Sequence, residues 1–188
     1  HQVKQAHKYW QDYFEQITLA GLALDDATID QMPTLRQQQA DLFYQTPLYK
    51  VTRQQYPVNL QTEMIGGVYC EVFTPVDGIG NKNRDRVLIN LHGGAFSTGC
   101  RTFSHLESIP IAALGKIKVI SLDYRQGPEC KFPAGSDDVV TVYKTLLREY
   151  SPENIGIFGN SAGALLTAQS IAHFIQEKLP LPNAIGLF

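Results

Sequence analysis

Long apolar runs, blocks of one charge sign and paired cysteines are all missing from this 188-residue sequence. No uninterrupted apolar stretch approaches the ~18 residues that a membrane-spanning helix needs, so no span is expected. The 16 Lys and Arg residues nearly balance the 18 Asp and Glu residues and never cluster, which removes the electrostatic case for nucleic acid or an anionic membrane as partner. The three cysteines, Cys70, Cys100 and Cys130, form neither a CxxC pair nor the staggered Cys/His set of a structural zinc site. They read as buried free thiols, with one disulfide left open should the compartment be oxidising. The patterns GxxxxGKS/T, GxGxxG after a strand and HExxH are absent, and Gly78-Ile79-Gly80 is a loop. The aromatics Phe103, Tyr124 and Phe132 are scattered between elements, which suits a core or pocket wall better than stacking on nucleobases. The chain begins at His1, not Met, which fits a removed signal peptide as well as a trimmed chain, so cytoplasmic, periplasmic and secreted locations all stay open.

What is present is an ordinary globular balance, 44% hydrophobic and 18% charged, enough to bury a core of domain size. The N-terminal stretch is polar, with Trp10, Tyr13, Phe14, Ile17 and Leu24 at helical spacing and Asp26 placed as an N-cap. A third helical pattern runs from Thr34 to about Tyr44, and the residues from there to Pro57 read as an irregular connection. Residues 1–56 are therefore expected to form a helical cap with its connection. Tyr9, Trp10, Tyr13 and Phe14 fit either pocket lining or plain helix packing.

From Val68 the period changes. Val68 to Phe73, Val87 to Leu91, Lys118 to Asp123, Ile155 to Gly159 and Ala184 to Phe188 are short runs rich in Val and Ile, as buried strands are. Helical patterns at about Phe103 to Leu114, Ser136 to Tyr150 and Ala162 to Lys178 alternate with them. This predicts an α/β fold with a mostly parallel sheet and flanking helices over residues 57–188. Ala184 to Phe188 read as the opening of a buried strand, and the polypeptide is expected to continue past it, leaving this core incomplete at its C-terminus.

The chemistry points to Gly159-Asn160-Ser161-Ala162-Gly163, a GxSxG placed between an apolar strand and a helix. A serine on so sharp a turn has strained backbone dihedrals, and side chains two residues to either side would collide, hence the flanking glycines. The turn sets the Ser161 hydroxyl at a helix N-terminus, where the Ala162 N–H and the helix dipole favour developing negative charge. His92-Gly93-Gly94-Ala95-Phe96 follows the strand Val87 to Leu91, and its adjacent glycines let backbone N–H groups converge on the same point. Gly93, Gly94 and Ala162 are the expected oxyanion-hole donors.

In order along the chain, HGGAF, DYR, PE, FPA and GNSAG resemble the hormone-sensitive-lipase-like family of esterases, over about residues 65 to 188. The resemblance implies an α/β-hydrolase fold and hydrolysis of short-chain or aryl carboxylic esters through an acyl-enzyme, with no cofactor or metal and with a helical cap shaping the acyl pocket. It implies Ser161 as nucleophile, Glu129 as a glutamate near the floor of the site, and His92 as a brace for the glycine turn and not the base. Asp123, Arg125 and Asp138 match scaffold contacts. Asn160 stands where an acidic residue is usual and Ala95 where a third glycine is common; Ala95 is harmless if its dihedrals are ordinary.

The triad acid and base of that family follow the nucleophile and would lie beyond Phe188, so residues 1–188 alone are expected to be inactive and to need that missing C-terminal part. His1, His7, His105 and His173 read as surface or cap residues. Two other readings stand beside the enzyme: a non-catalytic small-molecule-binding module on the same fold, and a remnant or dimerisation partner that keeps the turn without the chemistry. The partner in the first two cases is a small molecule; oligomeric state is not encoded legibly.

Overall fold

The computed structural model describes residues 29–188, and the readings placed on residues 1–28, including the Trp10–Phe14 stripe, His1 and His7, lie outside them. Helices α1 (Met32–Gln45) and α2 (Pro47–Gln55) precede an antiparallel hairpin of β1 (Val58–Ile65) and β2 (Val68–Pro75). Then come β3 (Val87–Leu91), α3 (Phe103–Gly115), β4 (Lys118–Leu122), α4 (Ala134–Leu146), β5 (Ile155–Gly159), α5 (Ala162–Gln176) and β6 (Ala184–Leu187). The sheet order is β1-β2-β4-β3-β5-β6. The pairs β4–β3, β3–β5 and β5–β6 are parallel, while β2 meets both β1 and β4 antiparallel.

Both faces of the central strands are covered, which is why those strands read as continuous apolar runs and not as alternating ones. Ile89, Ile120 and Ile157 point to one face, where Val139, Tyr143 and Leu146 of α4 and Leu166 and Phe174 of α5 close over them. Their neighbours Val119 and Phe158 point to the other, against Ile109 and Ala112 of α3, with Tyr49 of α2 packed beside them. The three cysteines are free, Cys70 and Cys100 buried. Among the described residues no helix is long and apolar enough to cross a membrane.

Three expectations change. The connection before Pro57 is helical: Thr46 caps α2, its hydroxyl accepting the Tyr49 N–H at 3.1 Å, and Pro47 takes the first helical position, where a missing N–H costs nothing. Strand β1 has no counterpart in the apolar pattern because most of its side chains are exposed. Its turn was nonetheless written in the sequence: Gly66 and Gly67, both at positive φ, join paired Ile65 and Val68 as a two-residue hairpin loop. Finally β6, expected to be buried, lies at the sheet edge with Ile185 and Leu187 half-exposed, because among the described residues no strand pairs with its outer side.

Candidate active site

Strands β3 and β5 are adjacent and parallel, so the turns leaving their C-terminal ends meet. At the end of β5 the chain reverses through Ser161, at φ 53° and ψ −116°, directly into α5. A non-glycine residue rarely occupies this region, and the cost is of order 1–3 kcal/mol. Close packing holds it there. A Cβ on Gly163 would lie 1.7 Å from Leu91 O at the end of β3, and one on Gly159 would lie 2.3 Å from the Gly163 carbonyl. Ser161 is exposed, its N–H donates to Phe188 O at 2.8 Å, and Ala162 opens α5 with an N–H that has no acceptor among the described residues.

The turn leaving β3 packs against this elbow. A Cβ on Gly93 would lie 3.1 Å from Asn160 O and 3.6 Å from Ser161 Cβ. Gly94, at φ 123°, reverses the chain so tightly that its carbonyl accepts from both Ser97 and Thr98 N–H at 3.0 Å. The structure thus brings Ser161, Gly93, Gly94 and Ala162 together. It gives the Gly93 N–H an acceptor of its own, Glu107 Oε1 of α3 at 3.2 Å, so Gly94 and Ala162 keep the unengaged N–H groups.

His92 is fully buried and tied into the same turn. Its Nδ1 lies 2.8 Å from Gly93 O, its ring stacks on Tyr124 at 4.4 Å, and the Tyr124 hydroxyl donates to His92 O at 2.7 Å. Burial lowers its pKa, which keeps the ring neutral. Glu129 meets the site through a residue that sequence reasoning missed. Arg36 of α1 pairs with both Glu129 oxygens and also donates to Ser97 O at 2.7 Å and Gly127 O at 2.6 Å. Burial pushes the Glu129 carboxyl up, but the hydrogen bond and charge of Arg36 outweigh it and hold it below the usual range. One guanidinium therefore joins the first helix to the glycine turn and to the loop after β4. Nothing local in the sequence marks Arg36, since its partners lie 61 to 93 residues away.

Asp123 and Asp138 have the scaffold contacts expected of them: Asp123 accepts from Arg101 at 2.6 Å, and Asp138 binds both the N–H and the Nε of Arg125, at 2.7 and 2.9 Å. Two readings are corrected. Ala95 sits at φ 53° and Phe96 at φ 58°, so the backbone at Ala95 is left-handed and not ordinary. His105 is not a surface residue: it is completely buried, with Nε2 2.9 Å from both Glu71 oxygens and its ring stacked on Tyr44 of α1. The position of His105 near a helix start suggested exposure, but α1 and α2 cover it. His173 lies part-way along α5 beside Glu177. No histidine among the described residues is hydrogen-bonded to Ser161.

A family model described as alpha/beta hydrolase fold matches residues 88–188. An acetyl-hydrolase of Streptomyces hygroscopicus is 37% identical over 101 residues, 53% of this chain and 33% of that protein. A kynurenine formamidase of Meyerozyma guilliermondii is 35% identical over 82 residues, 44% of this chain and 32% of that protein. A crystallised esterase superimposes with a TM-score of 0.69 at 34% identity, over 85% of this chain and 46% of its own. An esterase from the bacterial hormone-sensitive lipase family does so with a TM-score of 0.62 at 28% identity, over 86% and 57%. The chain spans about a third of the length of these curated relatives and about half that of the solved structures.

Proposed function

Because this chain belongs to the alpha/beta hydrolase fold family, with the hormone-sensitive-lipase-like esterases, we propose that it carries the nucleophile half of a carboxylic ester hydrolase acting on short-chain or aryl esters. The observation that carries the reading is the strained Ser161 at the mouth of α5, next to an unengaged Ala162 N–H and the glycine turn from β3. In this reading Ser161 Oγ attacks the ester carbonyl and passes its proton to a histidine. The carbonyl oxygen becomes an oxyanion held by the N–H groups of Gly94 and Ala162, while Gly93, His92 and, through Arg36, Glu129 keep the turn in shape. Expulsion of the alcohol, which takes up that proton, leaves an acyl-Ser161 ester; water then adds to it and releases the acid and the free serine. Donors aimed at charge that exists only in the transition state accelerate the step by roughly 10²–10³ each. The histidine and its carboxylate partner are assigned to sequence outside the described residues 29–188, since His92, His105 and His173 are each committed elsewhere. Residues 1–56 are proposed as the cap and 57–188 as part of the catalytic core.

The test is covalent. The full-length protein treated with a fluorophosphonate is expected to gain one phosphonyl group on the peptide containing Ser161 and to lose p-nitrophenyl ester hydrolysis in parallel. A label elsewhere, or hydrolysis that survives complete labelling, removes Ser161 from the reaction. The kynurenine formamidase likeness makes aryl formamides the second substrate class to assay. The alternative reading, a non-catalytic binding module on the same fold, would take neither label nor turnover yet retain ligand affinity.

A further inference from the structure

Behind the glycine turn lies a carboxyl group that the reaction above does not use. Glu107 projects from α3 under the turn, its Oε1 accepting the Gly93 N–H at 3.2 Å, while Oε2 is buried with no hydrogen-bond partner among the described residues. Beside it is Asn90 of β3, fully buried: its amide nitrogen donates to Ser108 Oγ at 2.9 Å, and its side chain favours the ionised form of Glu107. A buried carboxylate oxygen without a donor is costly in a protein interior, and a proton on Oε2 relieves that cost. The carboxyl is also close to the chemistry, since Glu107 Oε1 and Ser161 Cβ each lie 3.6 Å from the point a Cβ on Gly93 would occupy.

We infer that Glu107 is a positioning residue for the proposed hydrolysis: as a neutral acid it accepts the Gly93 N–H on Oε1 while Oε2 carries the proton. It thereby fixes the glycine turn facing Ser161 without placing a negative charge behind the oxyanion. The inference rests on the esterase reading. Burial pushes the Glu107 carboxyl up to about 7, against the pull of the Gly93 N–H and Asn90, so its charge changes in the working range. Two neighbouring titratable groups carry no charge near neutrality. Tyr124 after β4 has a buried phenol held protonated, and His92, one residue before Gly93, is held neutral by burial. No lysine or arginine among the described residues pairs with Glu107. Above its pKa an ionised Glu107 opposes the oxyanion; at a separation of this order the repulsion is worth about tenfold in rate.

The experiment compares wild type, Glu107→Gln and Glu107→Leu in the full-length enzyme between pH 5 and 8.5. Glutamine keeps the hydrogen bond to Gly93 without the charge; its kcat is expected to match wild type at pH 6 and to exceed it about tenfold at pH 8.5. Taking the ratio cancels the titration of the general base. Leucine removes the acceptor for Gly93, and kcat falls about tenfold at pH 6 with KM held within about twofold. A glutamine variant as slow as the leucine one, a ratio that does not vary with pH, or a leucine variant with unchanged kcat each overturns the inference. Should the leucine variant not fold, urea denaturation of wild type and Glu107→Gln decides. Because the folded carboxyl sits above its unfolded value, its stabilisation is complete below the unfolded pKa and is lost as pH rises through about 7. Wild type therefore loses stability relative to the glutamine variant over that window, and a constant difference overturns the neutral assignment. Wild type that takes no phosphonate label and hydrolyses no ester overturns the esterase reading instead, and the denaturation result still reports the protonation of Glu107.

Discussion

Alanine at position 161 is expected to lower kcat of the full-length enzyme by about 10⁶, the cost of removing the nucleophile of a serine triad, while KM changes little. KM is spared because the substrate contacts lie on other residues, and the residual rate over water comes from the oxyanion donors and binding alone. The same position yields an opposite effect on stability. Ser161 is held at φ 53° and ψ −116°, a conformation that glycine reaches without a steric penalty. Ser161→Gly should thus be as inactive as the alanine variant yet more stable than wild type by about 1–2 kcal/mol, whereas Ser161→Ala keeps the strain. Initial rates on a p-nitrophenyl ester and urea denaturation of the three proteins check both halves. A glycine variant less stable than the alanine one would mean that the elbow stores no strain.

The largest effect on folding is expected at Gly163. In a helix, exchanging glycine for alanine ordinarily stabilises by about 1 kcal/mol. Here the sign reverses, because the new methyl would lie 1.7 Å from Leu91 O and 2.8 Å from His92 O. Both obstacles are backbone, fixed by the β3–β5 ladder and the buried His92, so no side chain can swing aside. Either α5 lifts off the sheet or β3 gives up its pairing, and the loss should exceed about 4 kcal/mol, enough to leave little folded protein. Thermal melts and soluble yield of Gly163→Ala measure it; a variant melting within about 2 °C of wild type sinks the argument from close approach.

Where the sequence could be read, a local pattern and a tertiary role coincided. The runs Val87 to Leu91 and Ile155 to Gly159 match β3 and β5 residue for residue, because a strand covered on both faces is predominantly apolar, with Asn90 the one polar side chain in the two. The GxSxG elbow was legible for the same reason: two glycines at fixed distances from a serine, bounded by a strand and a helix, reflect one packed joint between β3, β5 and α5. Strand β1 was not, since an edge strand with solvated side chains has no apolar period to detect, and α2 was hidden behind Thr46-Pro47, a start signal with few apolar residues after it. The supporting residues were illegible for a different reason. Arg36, Glu107 and His105 belong to the site or its frame only through partners on other elements, Glu129, Gly93 and Glu71 respectively. No periodicity along the chain carries such pairings. The motif offered Gly93, Gly94 and Ala162 alike as oxyanion donors; nothing in it signalled that the Gly93 N–H would be taken up by a carboxyl.

The three-way grip of Arg36 on Ser97, Gly127 and Glu129 has a kinetic consequence for how this molecule breathes. Helix α1 cannot swing away from the body without releasing the carbonyl of Ser97, which is part of the glycine turn, so the two segments form one cooperative opening unit. Amide hydrogens in α1 and in residues 94–98 should then exchange with deuterium at a shared free energy of opening, below that of the central strands. The turn that faces Ser161 would lose its shape whenever the first described helix detaches, long before the sheet itself melts.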